Sequence, residues 1–269
     1  MLPEALADAL REAAPVCVAF SGGVDSSTVV AAAAAVLGPA AVLAVTASSP
    51  ICLEDELGVA RDFAGRLGVC HVVIDVDVLG DERIAANGPD RCYHCKALLL
   101  QRLLDVADEH GCAALVDGVN RDDLVDYRPG LRAAEERGVR HPLVEAGLGK
   151  AEVRELARGL GLDVWDRASD ACLATRVPYG EPLTRDALSQ VAAAEAVLRR
   201  LGFVECRVRH HGAVARVEVP VAELETALAL REAIVAGIHE AGFSYVALDL
   251  AGFRSGSMNE VLDEDGEVD

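Results

Sequence analysis

The run Ser21-Gly22-Gly23-Val24-Asp25-Ser26-Ser27 has the residue types that hold phosphate. Gly22 and Gly23 let the backbone turn sharply and approach a ligand closely. Successive amides in such a turn form an anion nest, and a helix starting there adds the positive end of its dipole. Ser21, Ser26 and Ser27 offer hydroxyls to phosphate oxygens. Asp25 is a candidate either to cap the helix or to hold Mg2+ beside a pyrophosphate. The run is not a Walker A loop, because no Gly-Lys-Ser/Thr follows, and it lacks the G-x-G-x-x-G of a dinucleotide fingerprint. The plainer alternative is a strand–turn–helix joint with a Ser/Asp cap. The length of the run, and its place between an apolar strand and an Ala/Val-rich helix, favour phosphate.

A second chemistry lies in the cysteines. Arg91-Cys92-Tyr93-His94-Cys95-Lys96 sets two thiols three apart just before an expected helix, where thiolates are favoured. Cys172 stands far off in Asp170-Ala171-Cys172-Leu173-Ala174-Thr175-Arg176, an irregular segment flanked by Arg167 and Arg176. Three converging thiolates can hold a cubane iron–sulfur cluster with one iron open. With His94 as a fourth ligand they can instead hold zinc. Read alone, Cys92 and Cys95 are also compatible with unliganded loop thiols. Cys17, Cys70, Cys112 and Cys206 lie in or beside strand patterns and read as small buried hydrophobes. Cys52 has no assigned part.

The elements that must position these groups follow from hydrophobic period and punctuation. Helices are expected at 3–13 (opened by Pro3), 25–37, 53–67, 95–109 and 150–160. Strands are expected at Val16–Phe20, Ala41–Thr46, Val69–Asp75, Ala113–Val116 and Leu162–Trp165. Strands alternating with helices imply a parallel sheet covered on both faces. Ligands of such sheets sit at the carboxyl edge of the strands. The phosphate run lies there, as do Thr46 at the end of strand two and Asp117-Gly118-Val119-Asn120 at the end of strand four. Thr46, Gly118 and Asn120 are therefore further nucleotide-site candidates, and Asp123 is a second candidate Mg2+ ligand. Residues 166–183 lack periodicity and mark a boundary, giving domains 1–170 and 171–269. The second should be a small α/β unit with antiparallel character: helix 184–201, strands 203–209 and 213–219, helix 221–240 and strand 244–250. An acidic tail runs from Glu260 to Asp269.

Composition narrows the function. With 44 acidic against 25 basic residues the net charge is −19. A long polyanion such as tRNA is a poor partner for such a surface, because Lys and Arg neutralising phosphates supply most of that affinity. A single nucleotide needs only a local site. No apolar run is long enough to span a membrane, and the N-terminus lacks a signal-peptide n-region, so a cytoplasmic protein is expected.

The Ser21–Ser27 run resembles the SGGxDSS loop of PP-loop ATP pyrophosphatases, whose Rossmann-like fold is that of the adenine nucleotide alpha hydrolases. These enzymes cleave ATP to AMP and pyrophosphate while adenylating an oxygen of the substrate. Taken with Asp117–Asp123, Asp126-Tyr127-Arg128-Pro129-Gly130, Cys172–Gly180 and Gly252–Glu260, the chain resembles the LarE family almost end to end. LarE proteins are the sulfur transferases that make the nickel-pincer nucleotide of lactate racemase. The resemblance implies that ATP adenylates a carboxylate of pyridinium-3,5-biscarboxylate mononucleotide and that a sulfur nucleophile then displaces AMP. In one branch the cysteine matching Cys172 gives up its own sulfur. In the other, three cysteines matching Cys92, Cys95 and Cys172 hold a [4Fe-4S] cluster whose open iron carries sulfide. The second branch matches here. Cys172 and Asp25 are then the candidate catalytic residues, with ATP, Mg2+ and the cluster as cofactors. Arg207, Arg209 and Arg254 match the family's grip on the substrate phosphate, a task suited to the bidentate guanidinium fork. A homo-hexamer is also implied. One departure is Trp165-Asp166-Arg167-Ala168, where the family is expected to have Lys-Pro after Trp-Asp.

Other classes share parts of this pattern. A tRNA thiolase would share the loop and the cysteines, but the charge disfavours it. An amidotransferase or NAD synthetase-like ligase would leave the three cysteines without a part. A non-enzymatic nucleotide sensor would leave the adenylation loop unused.

Overall fold

The computed structural model describes residues 2–52, 55–125, 129–166 and 172–254. The stretch Asp126-Tyr127-Arg128, the Arg167-Ala168 departure, Asp170 with Ala171, the last residues of the Gly252–Glu260 stretch and the acidic tail lie outside the described residues. In chain order the elements of the first half are α1 (Glu4–Ala13), β1 (Val16–Ala19), α2 (Val24–Leu37), β2 (Val42–Ser48), α3 (Asp55–Leu67) and β3 (Cys70–Asp75). There follow α4 (Glu82–Ala85), α5 (Arg91–Glu109), β4 (Ala114–Val116), α6 (Pro129–Glu135), α7 (Pro142–Glu145) and α8 (Lys150–Gly159). The chain divides into two compact units, Met1–Val78 with Cys92–Ser169, and Leu79–Arg91 with Asp170–Asp269. No composition change sets Leu79–Arg91 apart, so the sequence carries no signal for its place in the second unit.

The first unit holds a four-stranded parallel sheet in the order β3-β2-β1-β4. Alternation along the strands makes two cores. Val16 and Val18 of β1, Val42 and Ala44 of β2 and Val116 of β4 turn to one face, against Leu6, Leu10, Val29, Val30, Phe63 and Val153. Cys17, Leu43, Val45 and Leu115 turn to the other, against Leu100, Leu103 and Ala107 of α5 and Ala134 of α6. Each such Val or Leu side chain contributes about 1.5–3 kcal/mol by leaving water. Helix α2 is apolar on all sides because from Ser26 to Ala33 it is buried on all sides, packing against α1, α8 and the sheet. The fold class is therefore the α/β, PP-loop Rossmann-like one, with helices on both faces.

The expected fifth strand does not form: residues 162–166 are turn. Leu162 and Val164 are buried in the α2-side core, and that contact alone explains their apolar alternation. The edge beside β4 is taken instead by a single bridge at Arg140, whose backbone exchanges hydrogen bonds with Leu115 O and Asp117 N.

The second unit contains α4, α9 (Arg185–Arg200), β5 (Arg207–His211), β6 (Val214–Glu218), α10 (Leu224–Ala229), α11 (Arg231–Glu240) and β7 (Tyr245–Leu248). β5 and β6 form an antiparallel hairpin turning at Gly212, and β7 pairs parallel to β6. The expected helix 221–240 is two helices, broken where Leu230 leaves helical geometry. The expected strand at 203 begins only at Arg207, because Phe203 caps the end of α9 through its amide on Leu198 O. Among the described residues no helix is long and apolar enough to cross a membrane.

Candidate active site

The loop between β1 and α2 has the form its glycines predict. Gly22 takes φ +79°, a left-handed conformation that a side chain would strain. Gly23 is the N-cap of α2 and has no side chain with which to cap it, so no side-chain cap answers the first-turn amides. The Ser26 hydroxyl locks the turn from inside. It accepts from the Ser21 amide at 3.2 Å, donates to Gly23 O at 3.3 Å, and lies 3.1 Å from Ser21 Oγ.

Two polar atoms of the loop are buried without a hydrogen-bond partner among the described residues: Asp25 Oδ1 and Ser27 Oγ. Such groups cost about 1–3 kcal/mol each and call for a reason. Asp25 stands in the first turn of α2 but makes no capping bond, so capping is not that reason. Its other oxygen, Oδ2, receives the ammonium of Lys150 at 2.6 Å. An open carboxylate oxygen beside such a turn suits a cation, and an open hydroxyl can donate to a phosphate oxygen.

Two candidates from the sequence, Thr46 and Gly118, turn out to brace this loop. The Thr46 hydroxyl donates to Phe20 O at 2.7 Å and lies 2.8 Å from His71 Nε2, tying β2 to the residue that precedes the loop. His71 is held below its ordinary pKa by burial and by the charge of Arg61. At Gly118 a Cβ would come within 2.6 Å of Ser26 N and 2.9 Å of the Asp25 carbonyl carbon. Its missing side chain thus admits the loop backbone. The Asn120 amide donates to Asp123 Oδ2 at 2.7 Å, and the Asn120 backbone N–H does so at 3.0 Å. Asp123 Oδ2 therefore closes its own turn.

Beside Gly118, Asp117 is 3% exposed. Its Oδ1 receives His141 Nδ1 at 2.7 Å, and Lys96 Nζ lies 3.7 Å from Oδ2. Burial pushes the Asp117 carboxyl up, but the His141 hydrogen bond and the Lys96 charge outweigh it and hold the group below the usual range. The same hydrogen bond raises His141, against burial and Lys96.

Cys92 and Cys95 lie inside α5, in its first turns, rather than ahead of it. Their i, i+3 spacing puts both on one helix face. Cys172 belongs to the second unit, where it is the N-cap of a short 3-10 turn, Leu173–Arg176. The Cys172 carbonyl accepts from Thr175 N at 3.0 Å, Thr175 Oγ1 at 2.8 Å and Arg176 Nη1 at 3.1 Å. Arg176 is fully buried and forks onto Glu195 at 2.8 and 3.2 Å, so a carboxylate balances its charge. Its guanidinium also fixes the backbone of Cys172. Glu195 also receives Val208 N and Arg199. Arg91 Nη1 donates to Ala174 O in the same turn, at 3.1 Å.

Of the other cysteines, burial pushes Cys17 up to about 12 and Cys206 up to about 11, as befits inert core thiols. Cys70 is exposed, which corrects its reading as a buried hydrophobe, and Cys112 is half-buried. Among the described residues no group of three His, Cys, Asp or Glu gathers as a metal site.

Arg207 and Arg209 share β5 and are each 8% exposed. Arg209 forks onto Glu218 at 3.0 and 2.8 Å and donates to Thr175 O. Arg207 donates to Cys206 O and lies over the Phe253 ring. Arg254 is exposed, and its charge helps to hold the Asp249 carboxyl low, against burial.

Residues 1–97 match the asparagine synthase family, in keeping with the loop just described. Over 257 residues the chain is 43% identical to the pyridinium-3,5-bisthiocarboxylic acid mononucleotide synthase of Lactiplantibacillus plantarum, covering 96% of this chain and 93% of that protein. The chain belongs to this synthase family, LarE. An uncharacterized protein of Synechocystis sp. is also 43% identical, over 91% of this chain and 92% of its own length. The tRNA-specific 2-thiouridylase MnmA of Azorhizobium caulinodans is 33% identical over 63% of this chain, and only 53% of its length is covered. The LarE likeness thus covers nearly the whole chain, and the thiouridylase likeness 63% of it. Sequence reasoning missed Lys150, His141 and the Arg176–Glu195 pair. Lysines at helix starts and arginines after cysteines are common, and only the folded contacts give these a purpose.

Proposed function

We propose that the chain is an ATP-dependent sulfur transferase that converts pyridinium-3,5-biscarboxylate mononucleotide to the bisthiocarboxylate. The observation that carries this reading is the full-length likeness to a synthase of that product, joined to a phosphate loop with open buried acceptors. A bare carboxylate is a poor electrophile. In the first step a substrate carboxylate oxygen bonds to the α-phosphorus of ATP, and the bond from that phosphorus to pyrophosphate breaks. The loop amides and the α2 dipole hold the phosphates, and Ser27 and Asp25 supply the open oxygens, Asp25 to Mg2+. Next a sulfur nucleophile adds to the acyl carbon and AMP leaves, giving the thiocarboxylate. By the family resemblance Cys92, Cys95 and Cys172 would hold a [4Fe-4S] cluster, which would supply sulfide from its open iron. The Arg176 and Thr175 contacts fix where Cys172 starts its turn. Arg207, Arg209 and Arg254 would receive the substrate phosphate, Arg209 by giving up part of its Glu218 pairing.

The same likeness leads us to a homo-hexamer in the cytoplasm that serves lactate racemase. It leads also to a small-molecule substrate rather than nucleic acid, which the −19 charge supports.

The test uses anaerobically purified protein with ATP, Mg2+ and the biscarboxylate. Pyrophosphate and thiocarboxylate are measured, and the iron and acid-labile sulfide are counted. Cys172→Ala should keep pyrophosphate formation and lose thiocarboxylate. An iron-free protein that loses one sulfur of mass per turnover would move the chain to the sacrificial branch. Tight binding of bulk tRNA in a gel shift, with no turnover of the biscarboxylate, would favour the thiolase that the partial MnmA likeness suggests.

A further inference from the structure

The phosphate loop contains no Lys or Arg between Ser21 and Ser27. Pyrophosphate departing from ATP gathers negative charge, so a loop of this kind needs a cation from elsewhere in the fold. We infer that Lys150 is that cation, a catalytic residue whose ammonium exchanges Asp25 for the β- and γ-phosphate oxygens when ATP binds. This rests on the adenylation reading above.

The geometry is specific. Lys150 Nζ lies 2.6 Å from Asp25 Oδ2, in the first turn of α2 and two residues beyond the glycine that opens it. Lys150 is the first residue of α8, and its backbone is stitched down on both sides. Its own amide donates to Asp122 Oδ2 at 2.8 Å, and the Gly149 amide donates to Glu152 Oε2 at 3.1 Å. The ends of the Arg121 and Asp122 side chains lie close over Gly149, where a Cβ would come within 2.6 Å of Arg121 Nη2 and Asp122 Oδ1. Arg121 closes the seam, its backbone N–H and its Nη1 donating to Leu148 O and Gly147 O, each at 2.8 Å. The stem of Lys150 therefore leaves a fixed base and ends at the phosphate turn.

A second observation points to a ligand rather than to a static ion pair. Asp25 keeps Oδ1, and Ser27 keeps Oγ, buried and without a partner among the described residues. A carboxylate with one oxygen on lysine and the other open can take a divalent cation. The lysine, a compact charge on a flexible stem, can then swing to phosphate. During adenylation the oxygen–phosphorus bond to the substrate forms and the phosphorus–oxygen bond to pyrophosphate breaks. The electron pair leaves on pyrophosphate, Lys150 neutralises it, and no proton need move.

The experiment compares the wild type with Lys150→Gln and Lys150→Arg. ATP and AMP affinities are measured without turnover by calorimetry. Substrate-dependent ATP–pyrophosphate exchange and thermal unfolding are measured alongside. Lys150→Gln should weaken ATP roughly tenfold, as loss of one charge-assisted contact does, while AMP binds as before. Exchange should fall on the order of 100-fold, and Lys150→Arg should recover part of both. A merely structural lysine acting through Asp25 would shift ATP and AMP alike, and that result overturns the inference. So does a Lys150→Gln protein whose ATP affinity stays within twofold of the wild type. If the wild type itself shows no exchange, the adenylation reading fails, and the ATP-against-AMP difference still decides whether Lys150 meets the terminal phosphates.

Discussion

The phosphate loop and the turn that carries Cys172 treat their polar groups in opposite ways. At the loop, acceptors are buried and left open: Asp25 Oδ1 and Ser27 Oγ have no partner among the described residues. At the Cys172 turn the recorded contacts form closed sets. Arg176 meets Glu195, Thr175 Oγ1 and the Cys172 carbonyl, while Glu195 also takes Val208 N and Arg199. A region with open valences stores an energetic cost that a ligand relieves. A region with closed valences is a mount, costly to disturb and fixed in shape. The contrast separates a loop able to take a ligand from a turn held in one shape.

The mount should be the more fragile of the two. Glu195→Ala leaves the fully buried guanidinium of Arg176 without its carboxylate, and breaking a buried pair in this way costs about 3–5 kcal/mol. Urea unfolding of the variant should show a loss of that size, with the midpoint lowered and the slope kept. A loss under about 1 kcal/mol would mean that Arg199 or water re-forms the set, and the contrast would collapse.

The loop side gives the opposite sign. Removing a buried hydroxyl that has no partner should leave stability unchanged or raise it slightly, because its desolvation cost disappears. Ser27→Ala should therefore unfold no earlier than the wild type in a thermal scan, yet bind ATP roughly tenfold more weakly by calorimetry. A variant that is destabilised but binds ATP normally would show Ser27 to be ordinary core.

How far the sequence reached follows the same contrast. Open groups on a short local motif are legible. Ser21–Ser27 announces its turn through two glycines and its helix through the apolar run behind it, and both stand where expected. The parallel sheet follows from apolar strands between helices, since both faces of each strand are buried. Closed groups are not legible, because each needs a partner distant in the chain. Arg176 finds Glu195 nineteen positions on, and Lys150 finds Asp25 across 125 positions. Thr46, Gly118 and Asn120 stand at the correct edge of the sheet, but their contacts are with backbone and side chains of the scaffold. The false strand at Leu162–Trp165 fails for a related reason. Alternating apolar residues report burial, and a turn packed on α2 buries them as well as a strand does.

The smallest effect expected is one of pH, and it separates the regions once more. The ion pairs of the Cys172 mount join arginine to carboxylate. The Asp117–His141 pair beside the loop does not. His141 is raised above its unfolded value, so its contribution is complete below about pH 6.5 and is lost as pH rises through the folded value. Asp117 is lowered, so its share is present above about pH 4 and is lost as pH falls through the folded value. The pair is therefore strongest in mildly acid solution, between those limits. Above the folded value of His141 the bond becomes one from a neutral imidazole, a loss of about 1 kcal/mol. Lys96 lowers the His141 value and Glu135 raises it, so both set where the loss begins. Stability from urea unfolding at a series of pH values should fall by that amount between mildly acid and mildly alkaline solution. His141→Gln should flatten the profile. A wild-type profile already flat would mean that His141 stays neutral in the fold.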